Sequence, residues 1–192
     1  MTPLGTEPSE GPGLVERAAR FAQEAHGIQV RKYTGDPYAV HLEAVAKRVQ
    51  AVVGATEEMV AAAWLHDVLE DVPAVTADQL EVLFGATVRD LVAQVTDVSH
   101  PSDGNRRVRK ALDRDHLAQA LPEAQTIKLA DLLDNSHSIL AHDRAFTSTF
   151  LREMAELVEV MPLGDSLLRQ EARLLLNQRL GPTSDAKLRG LA

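Results

Sequence analysis

Apolar residues recur at helical spacing along most of the chain. Val15, Ala18, Ala19, Ala22 and Ala25 mark one face of a segment running from Leu14 to His26. Gly35-Asp36-Pro37 signals a turn, and Pro37 suits the first turn of a helix reaching about Val53, which Gly54 stops. Thr56 opens a helix that the pattern carries to about Leu69, with Asp71-Val72-Pro73 ending it. Thr76 caps a short helix to Phe84, Gly85 breaks it, and the pattern resumes over Ala86 to Val95. After a loop over Val98 to Gly104, the spacing predicts helices at Asn105–Ala120, from Pro122 to near His142, at Thr147–Val160 and at Asp165–Leu180. Period-two alternation of β-branched residues is nearly absent, so the pattern predicts an all-α fold.

The ends read differently. Residues 1–13 are rich in Pro, Gly, Thr and Glu and are expected to be a disordered leader. Residues 181–192 carry few large apolar side chains and are expected to form a flexible tail, leaving 14–180 as a single domain. The length of 192 residues suits one self-sufficient core. The net charge of −8 disfavours non-specific nucleic-acid binding. The longest apolar run, Met59 to Leu65, is far short of the ~20 residues that a membrane span requires. The chain has no cysteine, which excludes a thiol nucleophile or thiolate metal ligands and fits a reducing, cytoplasmic setting.

Within this pattern His66 and Asp67 stand out, because they follow seven apolar residues in one predicted helix. An ionised Asp buried beside a His costs several kcal/mol unless something compensates, and a divalent metal would. Glu70 and Asp71 follow four residues on, as a second stacked pair able to handle protons. His41 and Asp131 lie in other apolar helices and are candidates to complete the ligand set. Taken singly, His41 reads as a core or surface histidine and Asp131 as a cap or an ion-pair partner of Lys128. Two His with two Asp suit Mn²⁺, Fe²⁺ or Zn²⁺ better than Ca²⁺. Arg106, Arg107, Arg109 and Lys110 form a basic cluster able to hold phosphates, with Arg106 nearest the preceding loop.

The order His41, His66-Asp67, Glu70-Asp71, Asp131 resembles the HD-domain metal phosphohydrolase superfamily. The stretches from Arg31 to His41 and from Leu65 to Asp71, Phe84-Gly85, and Lys128-Leu129-Ala130-Asp131 with Asn135 are similar to one branch of it. That branch is the hydrolase domain of RelA/SpoT-type enzymes and the small alarmone hydrolases. The resemblance covers about residues 14–160. It implies an HD-domain helical bundle with Mn²⁺ held by His41, His66, Asp67 and Asp131. It implies Glu70 and Asp71 at the attacking water, Arg31 and Lys32 at a purine, and Asn135 and Ser138 near ribose and phosphate. The implied reaction removes the 3′-pyrophosphate of (p)ppGpp, leaving the 5′-nucleotide and pyrophosphate. Tyr33, where a small residue is usual, and Asp134, which replaces the usual pattern before Asn135, keep the adenine counterpart (p)ppApp open as substrate. The alternatives are another HD-type phosphohydrolase acting on a nucleoside monophosphate or a 2′- or 3′-phosphate, and a silent nucleotide-binding regulator.

Overall fold

The computed structural model describes residues 11–181; most of the expected leader and tail, 1–10 and 182–192, lies outside the described residues. Ten α-helices follow in order: α1 (Leu14–His26), α2 (Ala39–Gln50), α3 (Glu57–Leu65), α4 (Val68–Asp71), α5 (Ala77–Phe84), α6 (Ala86–Val95), α7 (Arg106–Ala118), α8 (Pro122–His142), α9 (Arg144–Val160) and α10 (Ser166–Leu180). The described residues contain no strand, only one isolated bridge between Val30 and Pro37.

The helices begin where side chains can take orphan N–H groups. Thr56 accepts from Met59, Thr76 from Gln79 and Asn105 from Val108. Asp165 caps α10 by accepting from Leu167 and Leu168. Gly85 ends α5 and starts α6 with φ +90°, a conformation that side-chain-bearing residues rarely adopt.

Three boundaries differ from the pattern's expectation. Pro37 does not enter α2: the Tyr38 N–H donates to Gln29 O at 2.9 Å and the Arg31 N–H to Asp36 O at 2.8 Å, closing residues 29–38 into a tight loop. Helix α9 starts at Arg144, ahead of Thr147, because Asp143 accepts from the Phe146 N–H. The helix expected to run from Thr56 to Leu69 is two helices. Helix α3 stops at Leu65, and α4 begins after Asp67, whose φ of −100° and ψ of −3° break the ladder.

Helix α3 is buried on nearly every side, through Met59, Val60, Ala61, Ala62, Ala63 and Leu65. Small Ala18 and Ala22 let α1 pack against it. Helix α8 is the other axis, packing on α2, α6, α9 and α10 with Ile127, Leu129 and Leu133 fully buried. Burial of each such side chain contributes about 1.5–3 kcal/mol. Helices α2 and α8 and the residues that directly follow α3 carry the candidate ligands, so the core itself fixes their spacing.

Candidate metal centre and active site

His41 and His66 are 1% exposed and Asp131 is 4% exposed, all at the meeting of α2, the α3–α4 break and α8. Their ligand atoms lie within 4.8 Å of one another. His66 Nε2 stands 3.2 Å from His41 Nε2, 3.1 Å from Asp67 Oδ2 and 3.7 Å from Asp131 Oδ1. His41 Nε2 is 3.6 Å from Asp67 Oδ2 and 3.3 Å from Asp131 Oδ1. Donors about 2.1 Å from a common ion sit about 3.0 Å apart at right angles and about 3.4 Å apart at tetrahedral angles.

The outer hydrogen bonds decide what these atoms are. His66 Nδ1 faces the Ala63 carbonyl at 2.8 Å, and His41 Nδ1 faces Asp134 Oδ2 at 2.7 Å. Both partners are acceptors, so the neutral rings carry their protons on Nδ1 and present Nε2 lone pairs to the cluster. Two nitrogen lone pairs and two carboxylates aimed at one point call for a cation. The donor set fits a divalent metal.

The break between α3 and α4 is what admits both His66 and Asp67. Neighbours on a continuous helix diverge by about 100° and do not face each other. The regular helix is interrupted at this dipeptide, and the Tyr38 hydroxyl donates to Asp67 Oδ2 at 2.6 Å. Glu70 and Asp71 occupy the single turn of α4, which Asp67 caps, and the Asp71 N–H donates to Asp67 O at 2.9 Å.

Electrostatics matches this geometry. Burial alone would depress His41, but hydrogen bonds to Asp131, Asp134 and Asp67 outweigh it and carry it up to about 11. His66 is likewise raised to about 9, burial being overcome by Asp67 and Asp131. Asp67 and Asp131 are held below the usual carboxylate range, against burial, by the imidazoles and, for Asp131, by Lys128. Burial and Asp67 push Tyr38 up, keeping it a donor. Glu70 takes the Asp97 N–H at 2.7 Å. Partial burial of its carboxyl, with the charges of Asp97 and Asp67, raises Glu70 to about 7 against the pull of Lys128. Asp71 is raised too, by burial and Asp67.

Two regions flank the cluster, each lined by one stripe of α8. On one side Lys128, Asp131 and Asn135 line a cavity of about 200 Å³ that also receives Asp97, Arg106 and Lys110. Lys128 Nζ reaches Asp131 Oδ2 at 3.1 Å, and Asn135 Nδ2 donates to Asp131 Oδ1 at 2.6 Å. Arg106 lies over the Phe146 ring and donates from Nε and Nη2 to Glu153 at 2.7 and 2.8 Å. Arg107 and Arg109 are not among the lining residues. On the other side the 29–38 loop brings Arg31 against Asp134, Asn135 and Ser138 at 2.5, 3.4 and 3.0 Å. Lys32 is largely exposed and donates to the Tyr33 hydroxyl, which donates to Asp143 at 2.7 Å.

Sequence reasoning named the four clustered donors and the Arg31 loop. It passed over Tyr38 and Asp97, and it took Lys128 only as a possible partner of Asp131. Lys128 carries the same signal as Asp131, a charge inside an apolar helix; Asp97 lies in a loop and offers none. Asp134, singled out as a departure from the usual pattern before Asn135, faces Arg31 and His41. Of the remaining histidines, His26 packs at the loop through Gln29 and a stacked Tyr38 ring, and His137 is exposed.

Two imidazoles and two carboxylates converging in the core of a helical bundle define a candidate site for a divalent metal. The chain belongs to the HD domain family, whose model matches residues 18–157. Family membership implies a divalent metal, in keeping with the donor set. The chain is 39% identical over 125 residues to the guanosine-3′,5′-bis(diphosphate) 3′-pyrophosphohydrolase of Aquifex aeolicus, covering 63% of this chain and 17% of that protein. It is 40% identical over 129 residues to the human guanosine-3′,5′-bis(diphosphate) 3′-pyrophosphohydrolase MESH1, covering 66% of this chain and 69% of MESH1. The chain thus spans under a quarter of the length of the larger bacterial relatives it matches, 17% and 24%. Among solved structures it is similar to a metazoan ortholog of SpoT described as hydrolysing ppGpp, with TM-score 0.78 and 27% identity over 93% of this chain and 100% of that one. It is also similar to lmo0812 of Listeria monocytogenes, with TM-score 0.62 and 26% identity over 77% of this chain and 98% of that one.

Proposed function

We propose that the protein is a Mn²⁺-dependent 3′-pyrophosphohydrolase of guanosine 3′,5′-bis(diphosphate), releasing pyrophosphate and the 5′-nucleotide. The observation that carries this reading is the arrangement along α8. Lys128, Asp131 and Asn135 face a cavity that Arg106, Lys110 and Arg114 also line, each cation paired with an acid that a phosphate would replace, and Asn135 and Ser138 face the Arg31 loop. A nucleotide with phosphates at both ends of its ribose needs such a two-sided site: cations for its phosphates and a planar guanidinium for its base.

His41, His66, Asp67 and Asp131 would hold the metal, which would supply Lewis acidity to a phosphoryl oxygen and acidify water. Glu70, near neutrality and fixed by the Asp97 N–H, takes the proton of the attacking water, and Asp71 supports it. The water oxygen bonds to the phosphorus carried on O3′, the P–O3′ bond breaks, and O3′ leaves as a hydroxyl with the proton that Glu70 took up from the water. Arg31 and Lys32 receive the base. Asn135 and Ser138 face the ribose, while Arg106 receives phosphate. Mn²⁺ is supported by the mixed nitrogen and oxygen donors. A cytoplasmic setting is supported by the lack of cysteine. No described helix is long and apolar enough to cross a membrane.

(p)ppApp is the competing substrate, because Tyr33, anchored on Asp143, puts a ring next to the base loop. The test is a chromatographic product assay with Mn²⁺ that offers ppGpp and ppApp beside 3′-phosphorylated controls. Pyrophosphate with GDP, lost on chelation, supports the reading, and ADP in its place moves the specificity to adenine. No turnover of either by metal-loaded protein overturns it.

A further inference from the structure

Asp134 stands between two groups from different halves of the site. Its Oδ2 accepts the Arg31 Nη1–H at 2.5 Å and faces His41 Nδ1 at 2.7 Å. One oxygen atom therefore holds both the cation of the base loop and the imidazole of a metal ligand. The side chains of Arg31, His41 and Asp134 are 11%, 1% and 18% exposed. Charge-assisted hydrogen bonds so sheltered are stronger than those in open water.

We infer that Asp134 is a positioning residue that couples the metal site to the base loop, so that each senses the other. The inference rests on the reading of His41 as a metal ligand and Arg31 as a base contact. A carboxylate at His41 Nδ1 keeps the ring proton there and makes Nε2 a better donor to a cation. The same oxygen shares its charge with the Arg31 guanidinium, and what one donor takes the other lacks. Removing Arg31 leaves the whole carboxylate to His41. Metal affinity thus depends on Arg31, although no Arg31 atom belongs to the donor cluster, and the dependence runs through Asp134. A nucleotide that draws Arg31 away from Asp134 therefore changes metal affinity, and linkage requires the metal to change nucleotide affinity by the same factor.

A purely structural role is the competing account, in which the Arg31–Asp134 pair only pins the 29–38 loop to α8. Loss of that pin lowers the melting temperature but leaves the Mn²⁺ affinity of the folded protein alone. The experiment is calorimetric titration of the full chain with Mn²⁺, without nucleotide. It compares the starting protein, Asp134→Asn, Arg31→Gln and the double variant, with melting curves alongside. Asp134→Asn is expected to bind Mn²⁺ about tenfold more weakly, the cost typical of losing a carboxylate behind a metal-bound histidine. Arg31→Gln is expected to bind it about fivefold more tightly, and the double variant to match Asp134→Asn. Equal affinity of the starting protein and Asp134→Asn overturns the coupling and leaves the metal site standing. So does a gain from Arg31→Gln that persists in the double variant, since that is charge acting through space. If Asp134→Asn does not fold, Arg31→Gln alone decides, and unchanged affinity is the negative result. A starting protein that binds no Mn²⁺ overturns the metal-site reading and the coupling together.

Discussion

Lys128 and Asp131 form an ion pair of 3.1 Å at the floor of the cavity, with side chains 16% and 6% exposed. The charges of Asp131, Glu70, Asp97 and Asp67 hold the Lys128 ammonium protonated against burial. Asp131→Ala therefore does more than remove a metal ligand: it leaves a buried cation short of its closest partner. Breaking such a pair from one side costs about 3–5 kcal/mol. Asp131→Ala is expected to lose Mn²⁺ binding and to lower chemical-denaturation stability by that order even in chelator. Asp67→Ala is expected to lose binding and turnover as well. Adding Lys128→Met to Asp131→Ala should recover part of the stability and none of the metal.

Glu70 sits near 7 without metal, and a cation at the cluster draws it lower. As a base it works when ionised, so kcat rises with pH through a limb at or below about 7 and then levels. Glu70→Gln is expected to keep Mn²⁺ affinity, lose this limb and lower kcat by about 10²-fold or more. A pH–rate profile of both proteins checks it; wild-type turnover by Glu70→Gln removes Glu70 from the chemistry.

His41 and His66 are raised above their ordinary value, to about 11 and about 9. Without metal they contribute stability that is fully present below about pH 6.5 and is lost as pH rises through those values. A metal must displace the protons they hold, so its affinity grows over the same range. In chelator the melting temperature should fall between pH 6.5 and 8.5. The rise in melting temperature on adding Mn²⁺ should widen over that interval.

How much of this was legible is best judged residue by residue. His66, Asp67 and Asp131 were readable because charge or imidazole in an apolar helix needs compensation. The caps at Thr56 and Thr76 were readable because the capping chemistry is local. The α3–α4 break was not, since His66 and Asp67 favour it only through ligand convergence with distant His41 and Asp131. The 29–38 loop was half legible: the turn signal was visible, but the Tyr38 N–H to Gln29 bond that displaces Pro37 from α2 is a pairing across nine residues.

Gln125 belongs to no site, yet its wholly buried amide donates to Ala120 O and Leu117 O and accepts the N–H groups of Leu163 and Gly164. It ties the α9–α10 turn to α8. Gln125→Leu keeps the volume and strands these backbone groups. The expected loss is at least about 2 kcal/mol in a denaturant melt, with Mn²⁺ affinity unchanged.

The break between Leu65 and Val68 also limits what can be transplanted. Copied onto a straight helix of another scaffold, His66-Asp67 would point two ways and offer an ion one side chain at a time. The portable unit is a dipeptide at a hinge between two helices, with a phenol behind the carboxylate and a carbonyl behind the imidazole. A designer who borrows the letters without the hinge borrows no binding site.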